Sequence, residues 1–85
     1  MDKTLAKIEE IITEPMKKLD IIVDTVEWVV EGKYNYLKIT LDKSTGLDID
    51  AIVEATNIIN PILDEYDLIE SEYILDISSK ERGEI

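Results

Sequence analysis

Aliphatic side chains recur along the first part of the chain at steps of three and four residues, namely Leu5, Ile8, Ile12, Met16 and Leu19. This spacing predicts an amphipathic helix from Asp2 to Leu19, with the Asp2 carboxylate as its N-cap. Pro15 lies inside the pattern, where it removes one backbone hydrogen bond and biases the preceding residue away from helical geometry. We therefore expect a kink at Pro15, or a short restart of the helix capped by Thr13.

The pattern then becomes typical of two strands joined by a tight turn. Residues 21–30 are rich in β-branched side chains, and residues 34–41 alternate between apolar and polar positions. Gly32 lies in the turn between them and supplies the positive φ that a hairpin requires. In the first strand Val26, Trp28 and Val30 share one face, opposite Glu27 and Glu31; in the second Leu37, Ile39 and Leu41 share one face, opposite Tyr36, Lys38 and Thr40.

A second helix and a third strand follow a loop that runs from Asp42 to Gly46. Asp48 is predicted to cap a helix that ends near Asp64, and Pro61 interrupts its last turn. The inward positions of this helix are expected to be Ile52, Thr56, Ile59 and Leu63, flanked by Ile49, Val53 and Ile62. After an acidic connector, Tyr73, Leu75 and Ile77 alternate with Ile74, Asp76 and Ser78 as a strand.

These elements predict a single α+β domain of order α-β-β-α-β. Two helices with one apolar stripe each can cover one face of a three-stranded sheet, which gives two layers. The opposite sheet face is then wet or holds a partner. The domain is expected to span residues 1–79, and residues 80–85 to form a polar tail.

The composition excludes much of the usual chemistry of active sites. The 85 residues contain no cysteine and no histidine, which rules out disulfides, thiolate zinc sites and the commonest general base. No export signal and no apolar run of the ~20 residues that span a membrane is evident. We therefore expect a cytoplasmic protein that does not bind membranes.

The net charge of −11 is unevenly distributed along the chain. Seven of the nine cations fall at or before Lys43, and residues 44–79 contain no lysine or arginine. The same stretch holds nine carboxylates: Asp48, Asp50, Glu54, Asp64, Glu65, Asp67, Glu70, Glu72 and Asp76. Such a surface repels phosphate backbones, so direct nucleic-acid binding is not expected. It is either a solvated acidic face or a site for a basic partner.

No catalytic, cofactor or metal site is predicted. A calcium loop counted from Asp42 would place its glycine one position early at Gly46 and lacks the bidentate glutamate, so Gly46 is interpreted as a turn residue. Paired carboxylates such as Glu9 and Glu10 lie on polar faces, where ionised carboxylates are simply solvated. The glycines are too far apart for a phosphate-binding loop or a GxxG clamp.

Several short motifs, in this order and spacing, resemble the N-terminal domain of the RimP family of bacterial ribosome maturation factors. They are Ile12-Thr-Glu-Pro15, Leu37-Lys-Ile-Thr-Leu-Asp42, Gly46-Leu47, Ile62-Leu-Asp64 and Tyr73-Ile-Leu-Asp-Ile-Ser-Ser79. The resemblance extends from about Lys3 to Ser79. The chain departs from the family at Asp20 and Leu68, where glycine and proline are usual. After Ser79 it also lacks the Pro-Gly that leads into a second, SH3-like domain, so it is either an excised domain or a divergent short form.

The resemblance implies an assembly factor that binds the immature small ribosomal subunit, without a cofactor, by contacting a ribosomal protein. Enzymatic activity is not expected, because the sequence offers no nucleophile–base or metal constellation. The acidic surface agrees with this, because ribosomal proteins are basic. The residues expected to make the contact are Asp48, Asp50, Glu54, Asp64 and Glu65, in a protein expected to be monomeric. The alternative is a small acidic regulatory or oligomerisation module that uses the exposed sheet face or a strand edge.

Overall fold

The computed structural model describes residues 2–80 and confirms the α+β order. The elements are α1 (Asp2–Lys17), β1 (Ile22–Glu31), β2 (Tyr34–Asp42), α2 (Ile49–Tyr66) and β3 (Ile74–Ser79). The three strands form one mixed sheet of order β1-β2-β3, antiparallel between β1 and β2 and parallel between β2 and β3. The predicted polar tail lies outside the described residues, apart from Lys80.

The core forms between the two helices and the inward face of the sheet. Leu37, Ile39 and Leu41 of the central strand are fully buried. They meet Ile8, Ile12 and Met16 of α1 and Ala55, Ile59 and Leu63 of α2, all of which are also buried. No phenylalanine is present in the chain, so aliphatic side chains fill this layer. Both helices therefore cover one face of the sheet, as the two apolar stripes predict.

The hairpin is tighter and the first strand less regular than the sequence pattern indicates. Glu31 pairs with Tyr34, so the turn consists of Gly32 and Lys33, and Gly32 has a φ of 60°. The pairing register shifts between Val23 and Thr25, which inserts one extra residue as a β-bulge. The alternation predicted from Val26 to Trp28 holds beyond the bulge. Val30 continues it but is 62% exposed at the hairpin end.

The predicted restart of the first helix at Thr13 is wrong. Helix α1 runs without interruption through Pro15 to Lys17. The Thr13 hydroxyl donates instead to the Glu9 carbonyl oxygen at 2.6 Å, which is a bond within the helix and not a cap. Proline removes only the one N–H that would bond Ile11, and it lies in the last turn, where the loss of one bond is tolerated.

Helix α1 ends two residues before the predicted Leu19, in a turn that glycine usually completes. The Ile21 N–H donates to the Met16 carbonyl oxygen at 2.9 Å, and the Asp20 N–H donates to the Lys17 carbonyl oxygen at 3.0 Å. This is the Schellman pattern, in which the residue after the cap is left-handed. Asp20 occupies that position with a φ of 60°. An aspartate therefore carries the left-handed conformation that glycine usually adopts at this position.

Helix α2 is rotated relative to its predicted orientation. Ala55 is fully buried, whereas Ile49 and Val53, expected to flank the core, are 79% and 52% exposed. The buried residues Ala55, Ile59 and Leu63 follow steps of four, and this stripe turns Ile49 and Val53 away from the core. The helix continues through Pro61 to Tyr66 and ends on left-handed Asp67, whose N–H donates to the Leu63 carbonyl oxygen at 2.9 Å.

Replacing Asp20 with glycine should raise the free energy of unfolding by about 1 kcal/mol. Glycine avoids the steric penalty of a side chain at positive φ, a gain that exceeds the entropy it adds to the unfolded chain. Urea denaturation would measure the change. Asp20→Asn is the matched control, because it removes the carboxylate charge from the helix C-terminus but keeps a side chain. An equal gain in both variants would show that charge, not backbone strain, is the cause.

The orientation of α2 predicts different costs for two isoleucines of the same helix. Ile59→Ala should lower the free energy of unfolding by about 2–5 kcal/mol, because it leaves a cavity in the core. Ile49→Ala should change it by less than about 0.5 kcal/mol, because that side chain is largely in solvent. Denaturant titrations of both variants provide the measurement. Similar losses of unfolding free energy in the two variants would contradict this orientation of α2.

Candidate functional site

The outward side of α2 is a negatively charged stripe. Helix geometry places the exposed residues Asp50, Glu54, Asp64 and Glu65 within a sector of roughly 100° that points away from Ile59. The stripe extends about 22 Å along the helix axis from its first member to its last. The structure therefore brings four of the five predicted site residues onto one surface, because their spacing is helical and the opposite face of the helix is committed to the core.

Asp48, the fifth predicted site residue, has a structural task at the start of α2. Its backbone is extended, with φ −93° and ψ 176°, and its Oδ1 atom accepts the Ala51 N–H at 2.8 Å. This bond satisfies one of the free donors of the first turn, and the carboxylate complements the positive end of the helix dipole. The predicted N-cap is thus confirmed. Asp48 remains exposed, so its charge also adds to the negative end of the stripe.

A groove continues the acidic surface past the end of α2. It has a volume of about 600 Å³ and lies between the last turns of the helix and the connector that leads to β3. Its carboxylates are Asp64, Asp67, Glu70 and Glu72, and its apolar lining is Leu63, Ile69 and Leu75. The Asn35 side-chain amide donates to the Glu72 carbonyl oxygen at 3.1 Å and holds the connector against β2. The sequence showed that this stretch lacks cations, but it did not predict the groove.

Tyr73 lines this groove, and its pKa is raised by its surroundings. Its ring packs edge-to-face on Trp28, with ring centroids 5.9 Å apart and an interplanar angle of 63°. Burial raises the pKa of the Tyr73 hydroxyl above its ordinary value of 10.0, and the carboxylates of Asp64 and Asp67 raise it further. Both carboxylates therefore act across the groove. The carboxylate contribution favours a cation near the Tyr73 hydroxyl, whereas burial, the larger cause, disfavours any charged group there.

The first helix, unlike α2, carries lysines. Lys3, Lys7 and Lys17 are exposed on α1, and Lys18 is exposed directly after it. Lys7 contacts Glu10 at 3.9 Å, a solvent-exposed pair that contributes little stability. The charges of the domain are therefore polarised between its helices, with mixed signs on α1 and only negative charges on α2.

The acidic side chains and the loop from Asp42 to Gly46 are the groups considered for metal binding. Within residues 2–80 no group of three or more acidic, histidine or cysteine side chains is arranged to hold a metal ion. In the loop tested for calcium, Asp42 Oδ1 accepts the Lys43 N–H at 2.9 Å, and the Gly46 N–H donates to the Lys43 carbonyl oxygen at 2.8 Å. With a φ of 86°, Gly46 is a turn residue, as interpreted from sequence. Neither described helix is long and apolar enough to cross a membrane.

The fold and the surface define a small acidic α+β domain whose prominent features suit binding. The sequence model of the RimP N-terminal domain matches residues 11–80, which is most of the chain. The chain belongs to this family, and the resemblance drawn from its motifs is confirmed. Membership implies a role in ribosome maturation. The family consists of ribosome maturation factors and is not known for enzymatic activity.

The origin of the Tyr73 shift can be tested by titration. Asp64→Asn and Asp67→Asn should each lower the pKa of Tyr73 toward its ordinary value, while burial keeps part of the shift. The difference in phenolate absorbance between each protein and its Tyr73→Phe counterpart isolates this tyrosine. Asp50→Asn, at the far end of α2, is the control and should leave the titration unchanged.

The raised pKa of Tyr73 also makes the stability of the fold depend on pH in a defined direction. Because the folded state holds the Tyr73 proton more tightly than the unfolded state, the stabilisation is complete below pH 10 and is lost as pH rises through the folded pKa. A Tyr73→Phe variant should lose less stability than the unmodified protein over that alkaline range. Equal losses would contradict the raised pKa.

Proposed function

We propose that this domain supports maturation of the small ribosomal subunit by binding a basic ribosomal protein through the acidic face of α2. The observation that carries the proposal is the alignment of Asp50, Glu54, Asp64 and Glu65 on one helix face, in a stretch without lysine or arginine. Family membership supplies the ribosomal context. Asp48 extends the face at its N-terminal end.

Electrostatics favours a protein partner over ribosomal RNA. Negative potential attracts a basic protein over a Debye length of about 8 Å at physiological salt, and it repels phosphate. Rim charges of this kind act mainly on the rate and selectivity of association. The domain would bind as a monomer in the cytoplasm, since self-association would bring like charges together. Residues 1–79 would form the binding unit, followed by a segment that in the family leads to a second domain.

Reversing three charges of the stripe tests this proposal. Glu54→Lys, Asp64→Lys and Glu65→Lys combined should weaken binding of the chain to purified small subunits about tenfold, equivalent to about 1.4 kcal/mol. Co-sedimentation at fixed ionic strength would measure the change. The matched control reverses Glu9, Glu10 and Glu14 on α1, which alters net charge by the same amount.

The two triple variants separate a local effect from a global one. If both weaken binding equally, net charge and not the α2 face is responsible. If neither changes binding, the acidic face is a solubilising surface and the proposal fails. Circular dichroism of each variant before the binding measurement confirms that the helices are retained.

A further inference from the structure

The outer face of the sheet, opposite the helices, carries side chains in ordered rows. The register aligns Val29, Tyr36 and Ile74 in one row across the three strands. The next row contains Glu27, Lys38 and Asp76, and the one after it Thr25, Thr40 and Ser78. The face therefore changes from apolar near the hairpin to charged in the middle and to hydroxyl-bearing at the far end.

The apolar end of this face is exposed to solvent. Ile74 is 45% exposed and Tyr34, next to the turn, is 59% exposed. Tyr36 and Val29 lie beside them, partly buried. The bond from Asn35 to the Glu72 carbonyl oxygen fixes the start of β3 next to β2, so the patch is formed in advance. Exposed contiguous patches with tyrosine are typical of protein-binding surfaces.

The charged row next to the apolar patch determines the charge at its border. Glu27 and Asp76 flank Lys38, whose Nζ atom lies 5.9 Å from the centroid of the Tyr36 ring. Among residues 2–80, neither carboxylate has a cation within ion-pairing distance. Glu31 adds a third carboxylate at the hairpin end. Lys38 offsets one of these three carboxylates, so the border of the apolar patch keeps a net negative charge.

The apolar patch and the carboxylates beside it favour one kind of binding partner for this face of the sheet. A second copy would set the same carboxylates against one another, on a chain that already carries a net charge of −11. A nucleic acid would meet repulsion from the same groups. A cationic protein segment satisfies both parts of the surface, if an apolar side chain covers Ile74 and flanking lysines or arginines meet Glu27 and Asp76.

We propose that the outer sheet face is a second docking surface, for a cationic protein segment that presents an apolar side chain between basic residues. It is distinct from the acidic face of α2, because both helices pack on the other side of the sheet. It therefore does not depend on the function proposed for that helix. Tyr34, Tyr36 and Ile74 anchor the apolar side chain, and Glu27 and Asp76 bind its basic neighbours.

The test uses blocked pentapeptides as probes and amide chemical shifts of the whole chain as the readout. The probe is Lys-Arg-Leu-Arg-Lys, and its matched partner Lys-Arg-Ser-Arg-Lys lacks the apolar side chain. We expect the first to shift amides of β2 and β3, and the second to bind this face about fivefold more weakly because it loses the apolar contact. Shifts confined to α2, or equal binding of both peptides to the sheet, would overturn the proposal.

Variants then assign the contact to the patch. Ile74→Ser should weaken the leucine peptide about fivefold without changing the serine peptide, and Ile49→Ser, exposed on α2, is the matched control. If Ile74→Ser unfolds the strand, Tyr34→Ser at the more exposed position makes the same test. Equal effects of the patch and control variants contradict the assignment. Amide shifts that depend on protein concentration without peptide would identify a second copy as the occupant and also overturn it.

Discussion

Burial of the central strand is the constraint on which the rest of the molecule depends. Leu37, Ile39 and Leu41 are fully enclosed, and they are the inward row of β2, the one strand within residues 2–80 that has neighbours on both sides. Two helices cover them, and because the chain contains no phenylalanine, aliphatic side chains fill the layer between helices and sheet. Each helix must give one face to that layer. What remains for a partner is the outside of the helices and the far face of the sheet.

The charge pattern follows from that commitment. Once Ala55, Ile59 and Leu63 point inward, the carboxylates of α2 have no place except the solvent side. No buried side-chain polar atom in the described residues lacks a hydrogen-bond partner, so the core makes no demand on these charges. They are free to create a field that extends into solvent. A negative field of this kind attracts basic protein surfaces and repels phosphate backbones, which is why a basic partner is proposed for this member of a ribosome maturation family.

Much of the fold could be predicted, because the hairpin and both helices have clear periodicity. The deviations arise where tertiary geometry overrides local preference. A bulge at Val23–Thr25 keeps two valines three residues apart on the same face, which strict alternation excludes. Asp20 adopts a glycine conformation because the Schellman bonds require it. The acidic stretch was visible in the sequence, but the groove at Tyr73 was not, because it depends on how the connector packs against α2.

Charge recognition of a protein surface is the central claim, and a comparison of protein-containing subunits with their RNA alone tests it most directly. The chain would be titrated against intact small subunits and against the RNA extracted from them, over a series of salt concentrations. The account predicts that binding to subunits weakens as salt rises and that the naked RNA does not bind. Binding to the naked RNA with the same affinity, or binding to subunits that is independent of salt, would contradict it.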